Sequence, residues 1–413
     1  AYYYNNSVNS FLSSNSSYLR YMGLDLQKPL SSQTCALDQS KTWAQYFESM
    51  VDETITQAEI LYAEGKKAGF APEDLQSRVD EAMEELKHHA EEHGNSFEED
   101  MKEHYGRKYS EEEIRAIVEK GEYTTLYREK VLEESSATEE EQNAYYEENK
   151  DNYWRVTYRT ESFPFSTTGE ENTDTKEVAK QKADEMLATV TDEASFIAQA
   201  KSKYTEEKLA AKAEDFTLRA DPLRSSLTDA VKNWMSDAAR QPGDKTVIES
   251  TSSYDVVYYV TTWLDDYKTA DIRLIYLPVE TESDATDEEK QAARDSVSAK
   301  ANELFGQWNT GEKTEENFIA LAKANSKDRN AETGSLYEDV NKSSFATDLT
   351  DWIFAAERAA GDSQMIQTSS ASYIVYYVAQ GEEYWKQSVE AAVKQNNYDS
   401  WYEAMKNNYP VTK

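Results

Sequence analysis

The sequence predicts a multidomain α+β chain: an all-helical N-terminal domain, two tandem α+β modules and a closing helix. The strongest of three supporting observations is internal repetition. Trp234–Val260 and Trp352–Val378 align without a gap at an offset of 118 residues, sharing Trp, Ala, Arg, Gly-Asp, Ile, Ser and a final Val-Tyr-Tyr-Val. Lys182-Ala183 and Glu185 match Lys300-Ala301 and Glu303 at the same offset, and Phe196-Ile197-Ala198 matches Phe318-Ile319-Ala320 after a small gap. Such a period exceeds the roughly 20–50 residues of solenoid repeats and marks two copies of a whole small domain. The second observation is helical patterning from Lys41 to Asn149. The third is a further helical stretch, Tyr384–Asn408, whose broad apolar face (Trp385, Val389, Val393, Tyr398, Trp401, Tyr402, Met405) needs a partner.

Residues 1–40 are polar and turn-rich (Asn5-Asn6-Ser7, Ser13–Ser17) and are expected to form a flexible arm. The helical domain is expected over 41–152. Trp43, Tyr46, Phe47 and Met50 sit at i, i+3, i+4, i+7, and Ile55, Ile60 and Leu61 continue that face toward stops at Gly65 and Gly69. Pro72 is expected to open a second helix and Ser96-Phe97 a third. Ser110 with Glu111–Glu113, and Thr138 with Glu139–Glu141, supply the caps of two more. After Asn152 the texture changes. The first module, 153–266, is expected to run as a strand at Trp154–Phe165, a loop at Thr167–Asp174, helices at Lys176–Thr189 and Ala194–Tyr204, a turn at Pro242-Gly243-Asp244 and a strand at Tyr254–Thr262. The second, 267–380, repeats this order: strand Ile272–Val279, helices Glu288–Asn309 and Glu315–Ala324, turn Gly361-Asp362 and strand Tyr373–Ala379. In Tyr258-Tyr259 and in Tyr376-Tyr377, strand alternation puts one ring in the core and leaves the other exposed, free to stack on a bound chain. The last piece, 381–413, is expected to fold back on the N-terminal helices.

Composition narrows the function. A formal net charge of −35 repels phosphate backbones and argues against nucleic acid as a partner. The single cysteine, Cys35, permits no intrachain disulfide and fits either a reducing compartment or an exported protein without disulfides. No run of about 18 apolar residues occurs, so no membrane-spanning segment is expected. The opening at Ala1 without Met suggests a mature or trimmed product. There is no Gly-rich phosphate loop, serine nucleophile elbow or EF-hand spacing, and no cofactor is expected. His89 and His93, four apart on a helix, could hold zinc, but the charged surroundings of Glu84–His93 read as a solvated face.

In order along the chain, several short motifs resemble the exported parvulin-type foldases and chaperones, the SurA and PrsA group. Phe97–Met101, Tyr105-Gly106 and Ser110–Ile114 resemble the middle helices of that group's N-terminal domain, and Thr138–Glu141 with Tyr145–Asn149 the helix entering the first parvulin strand. Phe318-Ile319-Ala320 with Ala322 and Ser326, Thr333-Gly334-Ser335-Leu336, and Gly361-Asp362 before Tyr373–Tyr376 resemble the parvulin helix, its Gly-rich return and its final turn and strand. The resemblance covers 40–410. It implies a SurA-like helical chaperone domain, two parvulin-like domains and a C-terminal helix rejoining the first domain. It further implies unfolded or partly folded secreted polypeptides as partners, an extracytoplasmic location with a membrane anchor removed or absent here, and admits a homodimer.

Active members of that family carry a histidine in the first strand and another in the last, joined by an Asp or Cys. Here those positions are Thr160 and Leu274 in the first strands and Asp255 and Tyr373 in the last, and all four histidines (His88, His89, His93, His104) lie outside both modules. The first module also lacks the Gly-rich return, with Glu214-Asp215-Phe216 in its place. Prolyl isomerisation lowers a barrier of about 18–20 kcal/mol by binding a twisted amide and needs no nucleophile, so the missing imidazoles put catalysis in question without removing it. No catalytic residue is assigned. The resemblance places the apolar floor of a proline pocket at Leu227, Val231 and Trp234 in the first module and at Phe345, Leu349, Trp352 and Phe354 in the second, although core packing explains each of these residues as well. The reading is an extracytoplasmic holdase whose isomerase activity is open; the alternatives are an active isomerase and an extracellular scaffold using the modules as spacers.

Overall fold

In the computed structural model, residues 2–166, 174–281, 285–356 and 358–409 are described. They fall into two units, Ala1–Glu139 with Ala391–Lys413, and Glu140–Glu390.

The first unit is helical. Its elements are α1 (Tyr2–Ser14), α2 (Trp43–Lys67), α3 (Leu75–Glu92), α4 (Phe97–Tyr105) and α5 (Glu111–Glu134). The start signals of α2 and α5 are reciprocal capping boxes, Thr42 with Gln45 and Ser110 with Glu113. Trp43 and Phe47 are fully buried, while Ile55, expected on the same face, points to solvent. Gly65 does not stop α2: a side chain there would meet the Tyr123 hydroxyl at 2.8 Å and its ring at 2.9 Å, so the glycine lets α5 approach, and the helix ends before Gly69 (φ +68°). Pro72 precedes α3 by three residues instead of opening it.

The expectation of a flexible arm over 1–40 is corrected. Tyr4, Val8, Phe11 and Leu12 of α1 form a helical stripe hidden among Asn and Ser, and they pack on Trp43, Phe47 and the buried Leu24 and Cys35. The Tyr2 backbone N–H donates to the Tyr109 hydroxyl at 3.0 Å. The solvated reading of His89 is also corrected: its ring turns toward the buried carboxylate of Asp100 on α4.

The second unit begins with α6 (Glu139–Asn149) and holds two lobes. Lobe 1 contains β1 (Trp154–Pro164), α7 (Lys176–Thr189), α8 (Glu193–Ser202), α9 (Glu206–Ala210), β2 (Leu218–Arg219), α10 (Asp229–Met235), β3 (Lys245–Glu249) and β4 (Ser253–Leu264). Lobe 2 contains β5 (Lys268–Pro278), α11 (Asp287–Thr310), α12 (Glu315–Asn325), β6 (Leu336–Val340), α13 (Thr347–Ile353), β7 (Ser363–Gln367) and β8 (Ala371–Glu383). The loop expected at Thr167–Asp174 lies, apart from Asp174, outside the described residues.

Each lobe is one four-stranded antiparallel sheet, ordered β2-β1-β4-β3 and β6-β5-β8-β7. The duplication holds to the register. Thr160 faces Val257 as Leu274 faces Val375, and Lys245 faces Tyr258 as Ser363 faces Tyr376. A buried arginine sits at the same place in both first strands: Arg159 Nε donates to Glu193 on α8 at 2.7 Å, and Arg273 Nε to Glu315 on α12 at 2.8 Å. The repeated Trp, Arg and Gly-Asp are explained too. Arg240 and Arg358 stack on Trp234 and Trp352 at 3.9 and 4.1 Å and pair with Asp244 and Asp362.

The tyrosine pairs depart from expectation. Tyr258, Tyr259, Tyr376 and Tyr377 are all at most 8% exposed. Both faces of each sheet are covered, so alternation sends neighbouring rings into different cores: Tyr258 and Tyr376 toward the long helices, Tyr259 and Tyr377 toward α10 and α13.

The final helix, α14 (Tyr384–Asn408), enters the first unit at residue 391 and contacts its helices as expected. Tyr398 and Tyr402 bury against Ile60, and the Tyr402 hydroxyl donates to Glu53 at 3.0 Å. Burial of side chains of this size contributes about 1.5–3 kcal/mol each. Among the described residues no helix is long and apolar enough to cross a membrane.

Candidate functional site

The face of lobe 2 opposite α11 and α12 holds an open cavity of about 680 Å³, in the range of small-ligand sites. Period-two alternation builds its floor: Leu274 and Tyr276 of β5 and Tyr373 of β8 share one face. Tyr337 and Val340 of β6, the loop Lys327–Arg329 and the approach to α13 at Ser344-Phe345 complete it. Two aromatic pairs flank the opening. Tyr276 and Tyr373 lie 5.4 Å apart at 31°, and Tyr337 and Phe345 5.5 Å apart at 74°.

A single carboxylate organises the rim. Asp328 accepts from the Ser335 hydroxyl at 2.6 Å, the Asn330 backbone N–H at 2.7 Å and the Tyr337 hydroxyl at 3.2 Å, and also from the Ser326 hydroxyl. The Ser326 hydroxyl oxygen accepts in turn from the Tyr276 backbone N–H at 2.8 Å, stitching the loop to β5. Burial, then the Asp328 charge, pushes the Tyr337 phenol up to about 12, and burial raises that of Tyr373. Both stay neutral donors near pH 7.

The return to β6 needs its glycine. Gly334 has φ +80°, and a Cβ there would lie 2.7 Å from Ile319 and 3.2 Å from Arg273. Arg273 Nη1 donates to the Gly334 carbonyl at 3.0 Å and to the Thr333 carbonyl at 3.4 Å. In lobe 1 the equivalent Arg159 bonds the Asp215 carboxylate and the Thr217 hydroxyl instead.

Of the residues singled out from sequence, Leu274, Phe345 and Tyr373 line the cavity. Leu349 is 1% exposed and packs beneath it in the same apolar cluster, where Trp352 is held under Arg358. Phe354 lines a separate hollow with Tyr267 and Lys342. In lobe 1, Leu227, Val231 and Trp234 cluster around Val257 and Tyr259. Thr160 lies outside that cluster, its N–H donating to Thr217, and Asp255 accepts from Ser250 and Ser253 at 2.6 and 3.1 Å. Tyr276, Tyr337 and Asp328 were missed. The Ser326-Lys327-Asp328 run and the tyrosine two places beyond Leu274 were the available signals.

The register shows what lobe 1 has in their place. Ser162 stands for Tyr276, Asp255 for Tyr373 and Arg219 for Tyr337. A cavity of about 490 Å³ in lobe 1 opens on the helix side, beside Phe163, Met186, Lys182 and Lys203.

With this geometry established, sequence comparison defines the class. Residues 278–379 match the rotamase family described as the PPIC-type PPIase domain, so lobe 2 carries a parvulin-type rotamase domain. The match spans about a quarter of the chain. Among solved structures the chain is similar to the peptidylprolyl isomerase PrsA from Bacillus cereus, at 14% identity over 75% of this chain and 91% of that one, TM-score 0.21. It is likewise similar to the foldase protein PrsA from Streptococcus pneumoniae strain Canada MDR_19A, at 13% identity over 90% and 92%, TM-score 0.22. No curated protein matches the chain. Scores this low leave function to rest on the rotamase match and the groove.

Proposed function

We propose that this chain is an extracytoplasmic folding factor that holds unfolded or partly folded secreted polypeptides. Lobe 2 takes their proline-containing segments, and lobe 1 serves as a supporting arm. The observation that carries this reading is the groove of lobe 2, a floor of Leu274, Tyr276 and Tyr373 flanked by Tyr337 and Phe345 within a rotamase-type domain. Tyrosine rings bind apolar chain at low entropic cost, and an open groove of modest area suits a holdase that releases its client without ATP. The location is the one the family resemblance implies, and cell fractionation of the native source tests it.

Active prolyl isomerisation is the second reading, favoured by one observation. Asp328 keeps a hydrogen-bonded carboxylate at the rim although both strand histidines are replaced. Two assays on the intact chain separate the readings. Suppression of aggregation of a denatured test protein at near-stoichiometric amounts supports the holdase. Acceleration of cis-to-trans conversion in a proline peptide, lost in Asp328→Ala, supports the isomerase. Failure in both sinks the folding-factor proposal and leaves the spacer role.

A further inference from the structure

We infer that the hairpin of α3 and α4 holds a zinc-class divalent cation between His89, Asp100 and His104. Three of the chain's four histidines converge there. The His89 and His93 rings lie 4.3 Å apart and those of His89 and His104 4.7 Å apart. Between the helices Gly94 (φ +67°) reverses the chain, which brings residues 11 and 15 positions beyond His89 back against it.

The donor atoms already stand at ligand spacing. Asp100 Oδ2 is 3.0 Å from His89 Nδ1 and 3.6 Å from His104 Nδ1. A tetrahedral ion with bonds near 2.0–2.1 Å holds its ligand atoms about 3.3 Å apart. The donors of all three residues fall within 4.8 Å of one another. The second observation is the carboxylate itself. Asp100 is 1% exposed, and its Oδ1 is buried without a hydrogen-bond partner among the described residues. A buried carboxylate oxygen left unpaired is costly, and a bound cation would compensate the charge.

The site is reachable, because the side chains of His89 and His104 remain 40% and 39% exposed. Two imidazole nitrogens and one oxygen suit zinc and its neighbours better than calcium or magnesium, which prefer all-oxygen sets. Ligation requires the proton of each ring to move to Nε2, and His104 Nδ1 to give up its 3.1 Å contact with the Asp100 carbonyl. A fourth position is left for water. The cation would tie α3 to α4 within the helical unit.

The test uses the tag-free full chain titrated with zinc chloride near neutral pH, followed by calorimetry and by thermal unfolding. One zinc per chain is expected. Affinity falls by more than about tenfold in His89→Ala and in His104→Gln, a milder change should the first variant misfold. His88→Ala, whose ring is exposed beside Glu92, binds as the wild type does. Zinc raises the unfolding midpoint only in the chains that bind it. Absence of stoichiometric binding, or binding that survives both substitutions, would overturn the site and leave the cluster as a hydrogen-bonded latch.

Discussion

Lobe 1 and lobe 2 share sheet order, register, buried arginine and Trp-Arg stack, yet among the described residues only lobe 2 carries the aromatic groove with its rim carboxylate. Part of the difference falls at three groove positions. Tyr276, Tyr337 and Tyr373 give way to Ser162, Arg219 and Asp255, whereas the residues that hold the sheets to their helices persist. A duplicated domain can therefore keep its sheet order and register while the aromatic rings of its groove are replaced.

Four experiments break or sharpen this comparison. The largest effect is expected in the core beneath the groove. Leu349→Ala empties a fully buried site and should destabilise lobe 2 by about 3 kcal/mol, whereas the half-buried Val231→Ala should cost lobe 1 about 1 kcal/mol. Denaturant unfolding followed by lobe-resolved hydrogen exchange measures both. Next, Gly334→Ala forces a positive φ on alanine and a clash with Ile319, for about 2 kcal/mol in lobe 2, and exchange protection in lobe 1 should not change. Third, Tyr373→Asp writes the lobe 1 residue into the lobe 2 groove and should weaken binding of a proline-containing peptide by roughly tenfold, the scale of a lost aromatic contact plus a desolvated charge. Fluorescence anisotropy of a labelled peptide reads it.

The smallest effect concerns acid. Arg159 holds the Asp215 carboxyl below its ordinary value. A depressed folded-state pKa contributes stability that is complete above the unfolded value and is lost as pH falls through the folded one. Lobe 1 should therefore loosen below about pH 4. Lobe 2 bonds the equivalent donor to the Gly334 carbonyl, which does not titrate there. Exchange rates in the two sheets, compared on acidification, should diverge, and Asp215→Asn should remove that part of the divergence.

Much of the architecture was legible because period and spacing encode it. The Lys176–Thr189 helix emerged with the expected bounds, and the register of both sheets bears out the gapless repeat. The edge strands β2, β3, β6 and β7 were not, since runs of two to five residues beside turns carry too little periodicity. The α1 stripe was masked by Asn and Ser, and the burial of Tyr258-Tyr259 and Tyr376-Tyr377 depended on both sheet faces being covered, which no local pattern reveals. Leu274 and Tyr373 were found only through the family resemblance, as the places of its strand histidines, and Phe345 through helical spacing beside the floor that the same resemblance implies. Asp328 was not, because its role depends on Ser335 and Tyr337, seven and nine residues away, folding back upon it.

The most direct test is to map where a proline-containing peptide binds the intact chain, by amide chemical-shift changes or exchange protection. Changes concentrated at 326–345 and along β5 and β8, with the equivalent strands of lobe 1 silent, are the predicted result. Equal changes in both lobes, or changes confined to lobe 1, would contradict the assignment of client binding to the second groove.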